Sequence, residues 1–256
     1  MTDPAENNPF VRKLAYGAEL TEADKAVLAD VSSGGRRMPA RSDIIAEGDR
    51  PTHAHLIMEG YACRYKILPD GRRQIMAIFV PADVCDLHVQ ILGQMDHSIG
   101  TLSEVLIVDI SPATIADLTL NPRINRALWW MTLVDEGTLR EWLVSMGQRP
   151  APEQMAHVFS ELILRLQSIG LADGNAFPFP GTQDDLADLM GVTPVHVNRT
   201  LSTLREMGLI EMLGRTIRVP DLGRLQAFGG FDPNYLHLAD GRKGRRGGML
   251  EEPVVH

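Results

Sequence analysis

From Val195 to Arg205 the chain places His196, Asn198, Arg199, Ser202 and Arg205 on one side of a helical period, opposite Val197, Leu201 and Leu204. These side chains suit hydrogen bonding to nucleic acid. Arginine binds guanine O6 and N7 in a bidentate fashion, asparagine does the same for adenine, and serine or arginine holds backbone phosphates. An enzymatic reading would have to place its site upstream, in residues 36 to 110, where no nucleophile–base pairing or acid pair stands out, so no catalytic residues are assigned.

Such a row works only if a second element presents it. Leu186 and Leu189, beside small Ala187, supply an apolar seam for a preceding helix, and Gly191 ends that helix. Thr193 then offers a hydroxyl N-cap and Pro194 a first-turn proline, which together open the next helix. The arrangement predicts a helix-turn-helix whose second helix enters a DNA groove. An ordinary helical hairpin with a solvated polar face is the alternative. Downstream, Leu209-Ile210-Glu211 and Ile217-Arg218-Val219 flank Leu213-Gly214-Arg215, a wing-like hairpin that puts Arg215 or Arg218 beside a phosphate. Phe177-Pro178-Phe179-Pro180-Gly181 reads as a short edge strand, since its prolines cannot serve a central one.

The run from Thr182-Gln183 through Leu186-Ala187, Gly191, Thr193, Val197, Arg199, Leu201 and Leu204-Arg205 to Gly208-Leu209-Ile210 resembles the DNA-binding domain of the Crp/Fnr transcription regulators. The resemblance implies DNA contacts from Thr182, Gln183, Thr193, Val195, His196, Asn198, Arg199, Ser202, Arg205, Arg215 and Arg218. Many members open this helix with Glu, two residues, then Ser-Arg or Gly-Arg. Here Val195 replaces the glutamate and Asn198-Arg199 the pair, so the guanine-reading arginine is kept while a cytosine acceptor becomes a side chain suited to a thymine methyl. The operator should differ from the usual half-site.

The net charge of −8 looks wrong for a DNA partner until it is mapped along the chain. Residues 191–219 hold four arginines (199, 205, 215, 218) against two glutamates (206, 211), so the reading surface is locally basic. A basic run, Gly241 to Gly248, offers either a solvated end or an extra phosphate grip. Length of 256 residues and 44% hydrophobic content suit one large or two moderate packed domains. No run reaches a membrane span and the N-terminus has no signal-peptide pattern, so a cytoplasmic location is expected.

Residues 36 to 110 carry short apolar runs broken by turn residues, including 43–49, 55–60 and a hairpin of Ala62–Leu68 with Arg73–Val80 around Pro69-Asp70-Gly71. This predicts a small antiparallel barrel or jelly roll, and it resembles the sensory β-roll of the same family. Two short helices, near Phe10–Tyr16 and Thr21–Val31, precede it. Family members that bind cyclic nucleotides use Gly-Glu-Leu for the ribose and Arg-Ser or Arg-Thr for the phosphate. The matching residues here are Cys85-Asp86-Leu87 and His97-Ser98, so Asp86, His97 and Ser98 outline the candidate effector pocket. With His97 mostly neutral, Asp96 beside it and no guanidinium in the pair, the pattern speaks against a cyclic nucleotide.

Two cysteines, Cys63 and Cys85, cannot supply an iron–sulfur cluster, which needs about four. Haem would have to use His53, His55, His88, His97 or a methionine, and His53 with His55 could share a strand face as a zinc pair. Neither pattern is specific, so no metal ligands and no cofactor are assigned. Cys63 and Cys85 read as small buried hydrophobes or as redox-responsive thiols.

From Asn121-Pro122 a helix of some seven turns is expected, lined by Leu128, Met131, Leu139, Trp142 and Met146 and broadened by Trp129, Leu133 and Leu143. A helix apolar on more than one face needs more than one partner. In the family the matching helix packs on the β-roll and on its twin, so the five lining residues are the expected dimer contacts.

The expected fold is α+β: helices in 1–34, a cyclic-nucleotide-binding-like β-roll in 35–120, a dimerisation helix in 121–148, a winged helix-turn-helix in 149–228 and a flexible tail in 229–256. The expected function is a homodimeric regulator on palindromic double-stranded DNA, under an unidentified signal at the roll. RNA polymerase is a partner implied by the resemblance, and no membrane is. A cyclic-nucleotide-responsive regulator, and an adaptor whose winged helix grips a protein, are the alternatives.

Overall fold

The computed structural model describes residues 7–87, 91, 93–172 and 174–238. Helix α1 (Pro9–Leu14) starts where Asn8 caps the amides of Phe10 and Val11, and α2 (Glu22–Val31) starts at a capping box between Thr21 and Asp24. Both lie within about two residues of the expected bounds.

Eight strands follow: β1 (Arg36–Met38), β2 (Asp43–Ile45), β3 (Ala54–Glu59), β4 (Ala62–Ile67), β5 (Arg73–Phe79), β6 (Val84–Cys85), β7 (Ser98–Thr101) and β8 (Val105–Ile110). They pair antiparallel in two four-stranded sheets, ordered β1-β8-β3-β6 and β2-β7-β4-β5. Ile57, Cys85, Val105 and Ile107 of the first sheet meet Ile45, Ala62, Phe79 and Ile99 of the second, which closes the roll around its own core. The β3–β4 corner depends on Gly60, whose φ is +83° and whose missing Cβ would strike the carbonyl of Glu104.

After α3 (Pro112–Leu120) comes α4 (Pro122–Gln148), opened by Asn121, whose side chain accepts from the amides of Arg123 and Ile124. The stripe on α4 divides differently from expectation. Leu128, Met131 and Trp142 are buried in this chain's own core, whereas Leu139 and Met146 are exposed together with Trp129, Leu133 and Leu143. Trp142 also donates its indole N–H to Glu161 at 2.9 Å, which fixes α4 to α5 (Ala151–Ser168). Three of the five expected dimer contacts are thus used within the protomer.

The remaining elements are β9 (Ala176–Pro178), α6 (Gln183–Met190), α7 (Pro194–Glu206), β10 (Glu211–Leu213), β11 (Thr216–Arg218) and α8 (Leu222–Phe228). The order β10-β11-β9 leaves the proline-bearing β9 at a sheet edge, as its sequence required. One further correction concerns the tail. Residues 229–238 fold back through a 3₁₀ turn, Pro233–Leu236, and Tyr235 donates its hydroxyl to Glu161 at 2.9 Å. Tyr235 also lies against Gly137 of α4, where a Cβ would meet its carbonyl oxygen at 3.3 Å. The basic run 241–248 and His88 lie outside the described residues. Among the described residues no helix is long and apolar enough to cross a membrane, and no group of three or more His, Cys, Asp or Glu could hold a metal ion.

Candidate nucleic-acid interface

The reading helix is set by local chemistry at each end. Thr182 and Asp185 form a capping box for α6, Gly191 ends it in the left-handed region at φ +67°, and Thr193 caps α7 by accepting from the His196 amide at 3.3 Å. Leu186, Ala187, Leu189 and Met190 of α6 are buried, as are Val197, Leu201 and Leu204 of α7. Each of these larger side chains contributes about 1.5–3 kcal/mol of burial, which holds the two helices at a fixed angle.

The opposite side of α7 carries the predicted row. Val195 is 63% exposed, His196, Asn198, Arg199 and Arg205 are exposed, and Ser202 is half-buried under the Arg205 guanidinium at 3.0 Å. Among the described residues Arg199 and Arg215 have no carboxylate partner, which leaves both cations available to an anion. Arg218 differs, because it pairs with Glu211 across the wing at 2.7 Å. Gly214, at φ +64°, forms the wing tip, and the carbonyl of Arg215 accepts from Phe179, tying the tip to the segment after β9. Thr182, Gln183 and Thr193 are exposed at the helix starts.

The candidate effector pocket is a closed charge network. Asp86, itself at φ +50°, accepts from Arg64 at 2.8 Å and lies 3.0 Å from His97 Nε2, while His97 Nδ1 lies 2.6 Å from Asp96. Burial alone would lower the imidazole pKa, and the two carboxylates outweigh it and raise it, so His97 favours its charged form more than an ordinary histidine. Burial likewise opposes ionisation of Asp86, and His97 with Arg64 reverses that and holds it below the usual carboxylate range. Arg64 lies 5.1 Å over the Phe79 ring. It was not evident in the sequence; only the β4–β7 register, with Arg64 opposite Ile99, brings it to His97. The cationic side chains Arg64 and His97 are therefore already matched by two carboxylates, and an incoming phosphate would face both acids. Ser98 is buried and accepts from the Glu47 amide at 2.9 Å.

His53 and His55 take different hydrogen-bond partners. His55 lies on β3 with Nδ1 2.7 Å from Asp109, whereas His53 precedes the strand beside Thr52. Cys63 and Cys85 are buried thiols whose pKa values burial raises, Cys63 to about 12, so neither is a ready thiolate.

Sequence reasoning also missed the contact between the roll and α6. Asp185 accepts from Arg41 and Arg73, Asp188 accepts from Arg73 at 2.6 Å, and Gln74 donates to the Leu189 carbonyl at 3.3 Å. A second contact comes from Arg165 of α5, which donates to Asp83 and to the Ile78 carbonyl of the roll.

Residues 153–228 match the Crp-like helix-turn-helix domain and residues 35–121 match the cyclic nucleotide-binding domain. The chain is 29% identical over 194 residues to a probable transcriptional activator of Rhizobium leguminosarum bv. viciae, covering 75% of this chain and 79% of that protein. It is 28% identical to the nitrogen fixation regulation protein FixK of Bradyrhizobium diazoefficiens, covering 82% and 89%. The structure of FixK2 from Bradyrhizobium japonicum superposes with a TM-score of 0.66 at 24% identity, over 76% of this chain and 97% of that one. An α+β chain with a closed roll, a long connecting helix and an exposed winged helix-turn-helix is thus a DNA-binding transcription regulator, and it belongs to the Crp/Fnr family.

Proposed function

We propose that the chain works in the cytoplasm as a homodimer that reads a palindromic site, with Arg199 of each α7 in successive major grooves roughly 34 Å apart. The observation that carries this reading is the exposed row Val195, His196, Asn198 and Arg199 on the first turns of α7, with Arg199 unopposed by any described carboxylate. Arg199 reads guanine, Asn198 suits adenine, and Val195 favours a thymine methyl where a glutamate would accept from cytosine. Arg215 serves as the phosphate contact of the wing, with Arg218 restrained by Glu211. The exposed side of α4, around Trp129, Leu133 and Leu143, receives the second copy, and RNA polymerase is the partner once DNA is bound.

The matched charges of Arg64, His97, Asp86 and Asp96 favour a signal other than a cyclic nucleotide. Selection from a random duplex library, followed by salt-dependent shift assays on the enriched site, tests the proposal. A two-fold symmetric site with a thymine at the Val195 position is expected; shifts that ignore salt, or none, would favour a protein-binding adaptor.

A further inference from the structure

The first helix of a helix-turn-helix crosses the phosphate backbone when the second enters the groove, yet α6 carries Asp184, Asp185 and Asp188 and no lysine or arginine. An acidic helix at that place repels the backbone it must cross, and phosphate contacts supply a large share of DNA affinity. The cations that answer these carboxylates come from the roll. Arg73 of β5 donates to Asp185 and Asp188, and Arg41, in the turn between β1 and β2, donates to Asp185 through both terminal nitrogens at 2.7 Å.

The placement of Arg41 is specified by its turn. Its φ of +64° lies in the left-handed region, where a non-glycine residue is strained, and strain of this kind collects at functional positions. The backbone on either side is held to β7, since the Arg41 amide donates to the Thr101 carbonyl at 3.1 Å and the Ser42 amide to the Thr101 hydroxyl at 2.9 Å. The two ends of the ion pair also differ in exposure. Asp185 is 2% exposed and the Arg41 side chain 44%, against 27% for Arg73. Apart from the two bonds to Asp185, the Arg41 guanidinium has no protein partner among the described residues. Asp185 also accepts from the Thr182 amide at 2.7 Å and hydroxyl at 2.8 Å, so Arg41 stands beside the exposed Thr182-Gln183 start of α6, two of the expected DNA contacts.

We infer that Arg41 is a DNA contact supplied by the sensory roll: one edge of its guanidinium holds Asp185, and its remaining N–H groups hold a backbone phosphate beside the start of α6. Arginine suits this double task because its donors lie in a rigid planar fork. The phosphate is gripped only while the roll is docked on α6, so a signal that moves the roll changes the number of phosphates bound. The inference rests on DNA reading by α7 and on no particular operator, because a phosphate contact carries no sequence information.

A methylphosphonate scan tests it: single phosphates of a selected duplex are made neutral one at a time, and binding is measured over a salt series. In the parent, neutralising the phosphate next to α6 should weaken binding. In Arg41→Gln that position should no longer matter, while every other position keeps its effect. Arg41→Gln should also weaken all duplexes by about three- to tenfold per half-site and lower the salt slope by about 0.9 for each protomer bound. Arg73→Gln, which loosens the same Asp185 from a more buried position, should keep the slope and the full pattern. Arg41→Lys, which retains the charge, should keep the slope, and melting curves establish that each variant is folded. An unchanged slope with a full pattern in Arg41→Gln, equal losses of slope in Arg41→Gln and Arg73→Gln, or a lost slope in folded Arg41→Lys would overturn the assignment. A parent that gives no salt-dependent shift on any duplex would sink DNA reading by α7 as well, an outcome distinct from each of these.

Discussion

Arg41 of the roll donates two guanidinium nitrogens to the two carboxylate oxygens of Asp185, each at 2.7 Å, and so ties the sensory domain to the first helix of the DNA-reading unit. Asp185 is 2% exposed, also accepts from Arg73, and closes the capping box of α6. Burial alone would raise its pKa; the hydrogen bonds from Arg41, Thr182 and Arg73 prevail and hold it far below the usual range. A carboxylate with a depressed folded pKa stabilises above its unfolded value and loses that only as pH falls through the folded one. This contact should therefore survive acid that protonates ordinary carboxylates. The pair Arg41→Ala/Arg73→Ala should lose about 2–4 kcal/mol in denaturant unfolding, because Asp185 is left buried without a counter-charge. Asp188→Ala, at the half-exposed end of the same cluster, should lose under about 1 kcal/mol. Hydrogen exchange across residues 183–190 should quicken in the double variant and stay near the parent in Asp188→Ala.

Among the described residues Arg199 and Arg215 are both unopposed cations, yet they should fail differently. Arg199→Ala should weaken the selected site by about 1–3 kcal/mol per half-site and relax preference at one base pair. Arg215→Ala should weaken all sequences alike and reduce the salt slope by about 1 for each phosphate that is no longer neutralised. Competition binding over single-base variants at several salt concentrations separates them, and equal weakening at all sequences would reassign Arg199 to a phosphate.

The two apolar sides of α4 give opposite expectations. Leu143 is 72% exposed, so Leu143→Glu should leave folding intact and turn dimers into monomers in sedimentation. Trp142, one residue away, is buried and bonded to Glu161; Trp142→Ala should lose about 3–5 kcal/mol of stability by opening a cavity. A Leu143→Glu protein that stays dimeric would move the interface off this side of the helix.

What the sequence disclosed was local. Thr182, Gly191 and Thr193-Pro194 specify caps through neighbours within three residues, which is why the helix-turn-helix and its exposed row were legible. The stripe on α4 was legible as two-sided, but which side turns inward depends on the roll and α5, and Trp142 goes to Glu161 for reasons its own neighbours do not carry. Arg41 meets Asp185 across 144 residues and Arg64 of β4 meets Asp86, which follows β6 of the other sheet, so neither relationship leaves a periodic trace. The fold-back of 229–238 was equally hidden, since it rests on one tyrosine finding a glutamate 74 residues earlier.

That fold-back also sets a pH response. His157 on α5 is fully buried, edge-on to Phe231 at 4.9 Å between ring centroids, with Nε2 3.2 Å from the Tyr235 hydroxyl. Burial first, and the nearby Arg149 charge second, push its pKa down to about 4, against a weaker pull from Glu141. The unfolded chain takes up its proton near pH 6.5 while the folded chain does not, so stability from this residue is complete above pH 6.5 and falls as pH drops toward 4. The loss amounts to about 3 kcal/mol at most, from roughly 1.4 kcal/mol per pH unit. His97 has the opposite sign: its raised pKa adds stability at low pH that fades as pH rises through its folded value. His157→Phe keeps the ring contacts and removes the titration, so its stability should be flatter between pH 6.5 and 4 than the parent's. The imidazole carbon proton of His157 should show no NMR titration step above pH 5, and a midpoint between 6 and 7 would mean that the strap does not bury it.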